Sequence, residues 1–209
     1  MYHKTFLVLF ALLFGTSILL ISVFRAASVK YDFADNTVQV PVNVLGKEFD
    51  QINYYLPYPG RVLPDSPIWF LKALRDKAWL TVTSNPTREA ELNLLFADKR
   101  LGSAKILFEN RKPEIGLSTL SKAEKYLEEA SNKEKENRKK GIDTSEFLTK
   151  IASASLKHYE LIQYILGISP EEARPIIIKS QDYARGTYED SRNALLEKKI
   201  NPPENPFDW

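Results

Sequence analysis

Few residues in this chain have the chemistry for catalysis or metal binding. It contains two histidines, His3 and His158, and no cysteine, so disulfides, thiolate metal sites and a thiol nucleophile are all excluded. A zinc site built on nitrogen and sulfur is thereby disfavoured. A di-iron helical bundle would use Glu-x-x-His on two helices, but the residue three before His158 is Ser155. There is no Gly-x-Ser-x-Gly elbow, phosphate-binding glycine loop or dinucleotide fingerprint. Adjacent acids such as Glu128-Glu129 and Glu171-Glu172 diverge by about 100° on a helix and make no acid/base pair. His158 shares a helical face with Phe147, Ile151, Ala154, Leu161 and Ile165, the setting of a structural histidine. The expectation is no catalytic residue, no metal and no cofactor.

Two sets of polar and aromatic residues remain as binding candidates. Arg75 and Asp76 on one predicted helix and Asp98 and Arg100 on the next could form an inter-helix ion pair that fixes register, with Arg75 and Asp98 the pair to test. Tyr54, Tyr55, Tyr58, Trp69 and Trp79 could line a groove for a peptide or glycan, or be buried as core. The run Leu56-Pro57-Tyr58-Pro59-Gly60 is no sorting signal, because proline stands where threonine is required and no hydrophobic tail closes the chain.

Charge and length narrow the class. The 209 residues include 29 basic and 27 acidic side chains for a net charge of +2, so no field of one sign draws the chain to nucleic acid. Residues 5–24 carry no charge and are rich in Leu, Ile, Val and Phe; as a helix they would span about 30 Å, one bilayer core. The competing reading is a signal peptide cleaved near Ala26-Ala27-Ser28, but the apolar run exceeds the usual signal length. Flanking charge is nearly balanced, Lys4 and the α-amino group before the run against Arg25 and Lys30 after it; the four-residue lead and signal-like N-terminus make a single-pass anchor with the C-terminal body outside the cytoplasm the expected arrangement. The lipid bilayer is therefore an expected partner, alongside an envelope protein or a second copy.

Behind this anchor (residues 1–27) the sequence divides into an extended tether (28–53), a helical body (54–200) and a proline-rich tail (201–209). Valine at alternate positions from Val38 to Val44 gives a strand-like spacer interrupted by Pro41. Residues 54–77, with four prolines and five aromatic residues, form a stiff clasp that should lay Tyr55, Tyr58 and Leu63 on the helices. Ser66 as N-cap and Pro67 at the first position start a helix over 67–82, whose Phe70, Leu71, Leu74, Ala78 and Trp79 predict a wide buried face.

Four further helices complete an all-α antiparallel bundle. Asn85-Pro86 starts one over 86–110 with the stripe Ala90, Leu94, Ala97, Leu101, Ala104 and Phe108, a seam suited to close approach. The next, over 113–139, continues with Gly116, Leu120, Ala123, Leu127 and Ala130; its polar end from Ser131 should project into solvent. Gly141 caps it, and Asp143 to Glu146 has capping-box spacing for a helix reaching Leu166. Ser169-Pro170 opens the last, which Pro175 must kink or restart. The tail is too rich in proline for a helix and is expected to fray unless Phe207 and Trp209 dock.

The blocks Leu56-Pro57-Tyr58-Pro59-Gly60, Leu63 to Asp76, Asn85-Pro86, Ala90-Glu91-Leu92 and Ala97 to Leu101 resemble a bacterial and archaeal family called domain of unknown function 5667. The resemblance covers about half of the chain, residues 54–130. It implies an all-helical domain beside a membrane span and facing away from the cytoplasm. It implies no activity, ligand or site residue. The resulting expectation is a scaffold, adaptor or sensor at the cell envelope, more readily non-enzymatic; the alternatives are a hydrolase using carboxylates assembled by the fold, or the peptide or glycan binder.

Overall fold

The computed structural model describes Phe10, Phe14, residues 52–207 and Trp209. The chain divides into two compact units, Met1–Asp32 and Phe33–Trp209. In the first, Phe10 and Phe14 are helical and their rings stack with centroids 6.2 Å apart. The apolar run 5–24 as a whole and the valine alternation at 38–44 lie outside the described residues. Among the described residues, no helix is long and apolar enough to cross a membrane.

Among its described residues the second unit holds five α-helices: α1 (Trp69–Val82), α2 (Pro86–Glu109), α3 (Pro113–Lys139), α4 (Ser145–Ile168) and α5 (Arg174–Glu197). Their ends follow from local chemistry. Asn85 caps α2 by accepting the Arg88 amide at 3.1 Å, with Pro86 at its first turn where no donor is missed. Gly141 takes φ +80° after α3, and the Ile142 amide reaches back to the Asn137 carbonyl at 3.1 Å. Arg111 and Lys199 adopt the same left-handed geometry after α2 and α5 without being glycine. Pro175 does not kink a helix: the 3-10 turn Glu171–Ala173 absorbs the approach, so that proline falls in the first turn of α5.

Two starts differ from expectation. The first helix begins at Trp69, with Ile68 as a cap that makes no side-chain bond, because Ser66 and Pro67 are used in a turn closed by Trp69 N–H to Ser66 carbonyl at 3.0 Å. At α4, Asp143 accepts the amide and hydroxyl of Ser145 at 3.1 and 2.6 Å, while Thr144 turns away to donate to Glu134. An Asx turn replaces the capping box.

The core is a four-helix arrangement of α2–α5. The pairs α2–α3 and α4–α5 pack most extensively, and α3–α5 and α2–α4 contacts tie the pairs together. The predicted seam of α2 is buried along its whole length, as are Gly116, Leu120, Ala123, Leu127 and Ala130 of α3. Gly116 is needed there: a Cβ would lie 2.9 Å from the Phe108 ring. The polar end of α3 does not project freely. Its buried stripe continues through Ser131, Glu134 and Asn137, and Glu134 accepts bonds from Thr144 at 2.6 Å and Arg138 at 3.2 Å. Glu134 can continue the stripe because Arg138, one turn on, and Thr144, ahead of α4, satisfy its carboxylate.

The tail does not fray. Tyr188 donates to the Pro203 carbonyl at 2.8 Å, and the rings of Phe207 and Trp209 lie 4.7 and 4.9 Å from Tyr159. These residues close a core cluster containing Leu148, Leu156, Tyr188 and Leu195. Each aromatic ring contributes a large apolar area, enough to order a proline-rich segment whose unfolded chain is already stiff.

Candidate functional site

The largest concentration of titratable chemistry is inside the bundle, where Leu94-Asp98-Leu101 of α2, Leu120-Glu124-Leu127 of α3 and Ala154-His158-Leu161 of α4 each place a polar residue in an apolar stripe. His158 is fully buried; its Nδ1 lies 2.8 Å from Glu124 Oε1 and its Nε2 3.1 Å from Asp98 Oδ1. The Tyr54 hydroxyl donates to the other Asp98 oxygen at 2.8 Å, so the clasp is bonded to the same cluster. Burial alone would push the imidazole pKa down, but the Glu124 and Asp98 carboxylates hold it up at about 9. As an imidazolium it donates from both nitrogens. Burial, then the Asp98 charge, raises the Tyr54 pKa, so its hydroxyl stays protonated as a donor.

This constellation has the residue types of an acid/base relay, yet its geometry is that of a lock. Both imidazole nitrogens are engaged, and Asp98, Glu124 and His158 are all buried. It joins α2, α3, α4 and the clasp through one charged ring, so removing one partner would strand buried charge. Among the described residues, no group of three or more His, Cys, Asp or Glu is arranged to hold a metal ion.

A second polar group fastens α1. Asp76, buried on the inner side of α1, accepts from Arg75 Nη2 at 2.6 Å and lies 4.0 Å from Arg100 Nη2 of α2. The Arg100 guanidinium stacks over the Tyr126 ring at 4.3 Å, and burial lowers its pKa. Trp79 meets Phe96 edge-on at 6.3 Å. Lys72 donates to the carbonyls of Pro59 and Val62, fixing the clasp on α1, and its ammonium sits 4.7 Å from the Trp69 ring. Gly60, at φ +92°, provides the turn that this requires.

The sequence-selected residues are therefore divided among three places. Asp76 and Arg100 form the inter-helix contact expected of the polar quartet, with Arg75 outside them; Asp98 instead joins His158 and Tyr54. Tyr55 and Tyr58 do not pack on the helices, being 83% and 65% exposed; in the part of the clasp ahead of α1, Pro59 is the residue that is buried, with its ring 3.5 Å from where a Cβ on Gly102 would be. Trp69 is half-buried. Glu124 was not singled out, although an acid four residues after Leu120 and three before Leu127 marks a charge inside a seam.

The largest departure from expectation is the face of α1. Phe70, Leu71 and Leu74 are 62%, 55% and 62% exposed, and Val82 is 75% exposed. Ala78 is exposed as well. The helix turns Trp69, Lys72, Ala73, Asp76 and Leu80 toward the bundle instead. The physical reason is on the inner side: one buried carboxylate and one lysine find fixed partners on α2 and the clasp, which an outward-facing Asp76 would forfeit.

Among the described residues this body is all-helical, with the Asp98–His158–Glu124 cluster buried at its centre. The model of the family described as domain of unknown function (DUF5667) matches residues 61–172, and the chain belongs to that family. The match begins in the clasp and ends in the 3-10 turn before α5, taking in α1, the Asp76–Arg100 contact and the whole Asp98–His158–Glu124 cluster. No curated protein and no solved structure matches the chain.

Proposed function

We propose that this protein is a membrane-anchored, extracytoplasmic helical module that acts as a scaffold, adaptor or sensor at the cell envelope. The observation that carries the reading is the outward apolar face of α1: a charge-locked bundle that leaves Phe70, Leu71, Leu74 and Val82 exposed presents a surface for another body. The uncharged run at 5–24 supplies the anchor. Alkaline-phosphatase and cytoplasmic-reporter fusions after Trp209 test the placement. An active phosphatase with a silent cytoplasmic reporter is expected, and the reverse pattern refutes it.

A second reading, an envelope hydrolase, draws on one observation: Asp98 and Glu124 converge on His158, as carboxylates assembled by a fold would. A water-soluble carbodiimide applied to the folded chain discriminates the two. Modification of Glu124 in the native state would favour the hydrolase; protection until unfolding, the expected result, favours the lock.

A further inference from the structure

We propose that α1 lies in the plane of a lipid bilayer, with its outward face in the headgroup and acyl boundary and an anionic leaflet preferred. The inference rests on the membrane-anchored reading above and names the partner of that same face. At 100° per residue, Phe70, Leu74, Ala78, Leu71 and Val82 occupy an arc of roughly 120° in which Thr81 is the one polar residue. Lys77 falls on one margin of that arc and Arg75 on the other, both exposed. Apolar residues in the middle with long basic side chains at both edges match an interfacial helix, whose cations reach up to phosphates while their stems stay apolar.

The charge distribution favours lipid over protein. The charged residues of α1 are Lys72, Arg75, Asp76 and Lys77, and the single acid is the one turned inward and buried. The charged side chains at the margins of the outward face, Arg75 and Lys77, are therefore both basic, with Arg75 also paired to Asp76 at 2.6 Å. A second copy docking the same face would bring two basic margins together, whereas an anionic lipid surface complements them. Fourteen residues make a helix about 21 Å long, too short to span and suited to lying flat. An apolar run sufficient for a bilayer core lies upstream in the same chain, which would hold α1 at high effective concentration near lipid.

The absence of cysteine makes the test direct. The full chain carrying Leu74→Cys, labelled with an environment-sensitive fluorophore, is placed in nanodiscs of phosphatidylcholine with or without phosphatidylglycerol. A matched chain carries the label at Glu171→Cys, beyond α4. The expected result is a blue shift and quenching by doxyl-labelled lipid at position 74 only, stronger with phosphatidylglycerol and reduced several-fold by Arg75→Gln with Lys77→Gln. A blue shift without lipid quenching means that protein covers the face, either a second copy or residues 1–51, and overturns the proposal. No shift at position 74 overturns it as well. A chain that fails to enter the nanodiscs removes the anchor itself, whereas entry without quenching at 74 leaves the anchor standing and removes only the in-plane helix.

Discussion

Helices α1 and α2 follow one another in the chain and carry apolar residues at the same helical spacing, yet they treat those residues in opposite ways. In α2 the stripe from Ala90 to Phe108 is buried throughout; in α1 Phe70, Leu71 and Leu74 are more than half exposed. Periodicity identifies an apolar face but not which way it turns. That depends on what the opposite face offers: α2 has a second helix against its seam, whereas α1 is held by Asp76, Lys72 and Trp79.

The contrast can be broken by mutation. Leu101→Ala, deleting a fully buried side chain of α2, is expected to lower stability by about 2–5 kcal/mol in urea unfolding, whereas Leu74→Ala should stay within about 0.5 kcal/mol. Equal losses would mean that the α1 face is core after all.

The charged lock predicts a pH dependence. His158 rises from an ordinary 6.5 to about 9 in the folded chain, so its contribution is complete below pH 6.5 and lost as the pH climbs through 9. The expected loss is on the order of 3 kcal/mol between those limits, at 1.36 kcal/mol per unit. His158→Gln should flatten that part of the stability profile; an unchanged profile would show that the ring is neutral. The charges facing the imidazole come from α2 and α3, with the neutral Tyr54 hydroxyl behind Asp98.

Closer to the seam, Gly116→Ala should cost about 1–3 kcal/mol, because the new methyl group meets Phe108 in the tight α2–α3 contact. The smallest effect is the sharpest for α1. A double-mutant cycle on Asp76 and Arg100 should give a coupling of about 1 kcal/mol, and one on Arg75 and Asp98 a coupling near zero. Reversal of the two would mean that α1 docks on α2 in a different register.

Much of this architecture was legible locally. Asn85-Pro86, Lys112-Pro113 and Gly141 delimit α2 and α3 because proline and glycine act on the backbone within a turn or two. The burial of His158 followed from the apolar residues three and four positions away. Its partners did not, since Asp98 and Glu124 lie 60 and 34 residues distant and only packing brings them to one ring. For the same reason the sequence placed the four charges of the quartet on adjoining helices but could not choose among their pairings.

By itself, the sequence determined an all-helical body, the boundaries of α2 and α3 and the seam of α2, because these depend on residue type and short-range spacing. The tertiary structure decided which charges meet, that the polar end of α3 is buried, that the proline-rich tail docks on Tyr159 and Tyr188, and that α1 faces outward. Each of those outcomes is a competition between distant groups for the same partner, and such a competition is resolved only when the helices have packed.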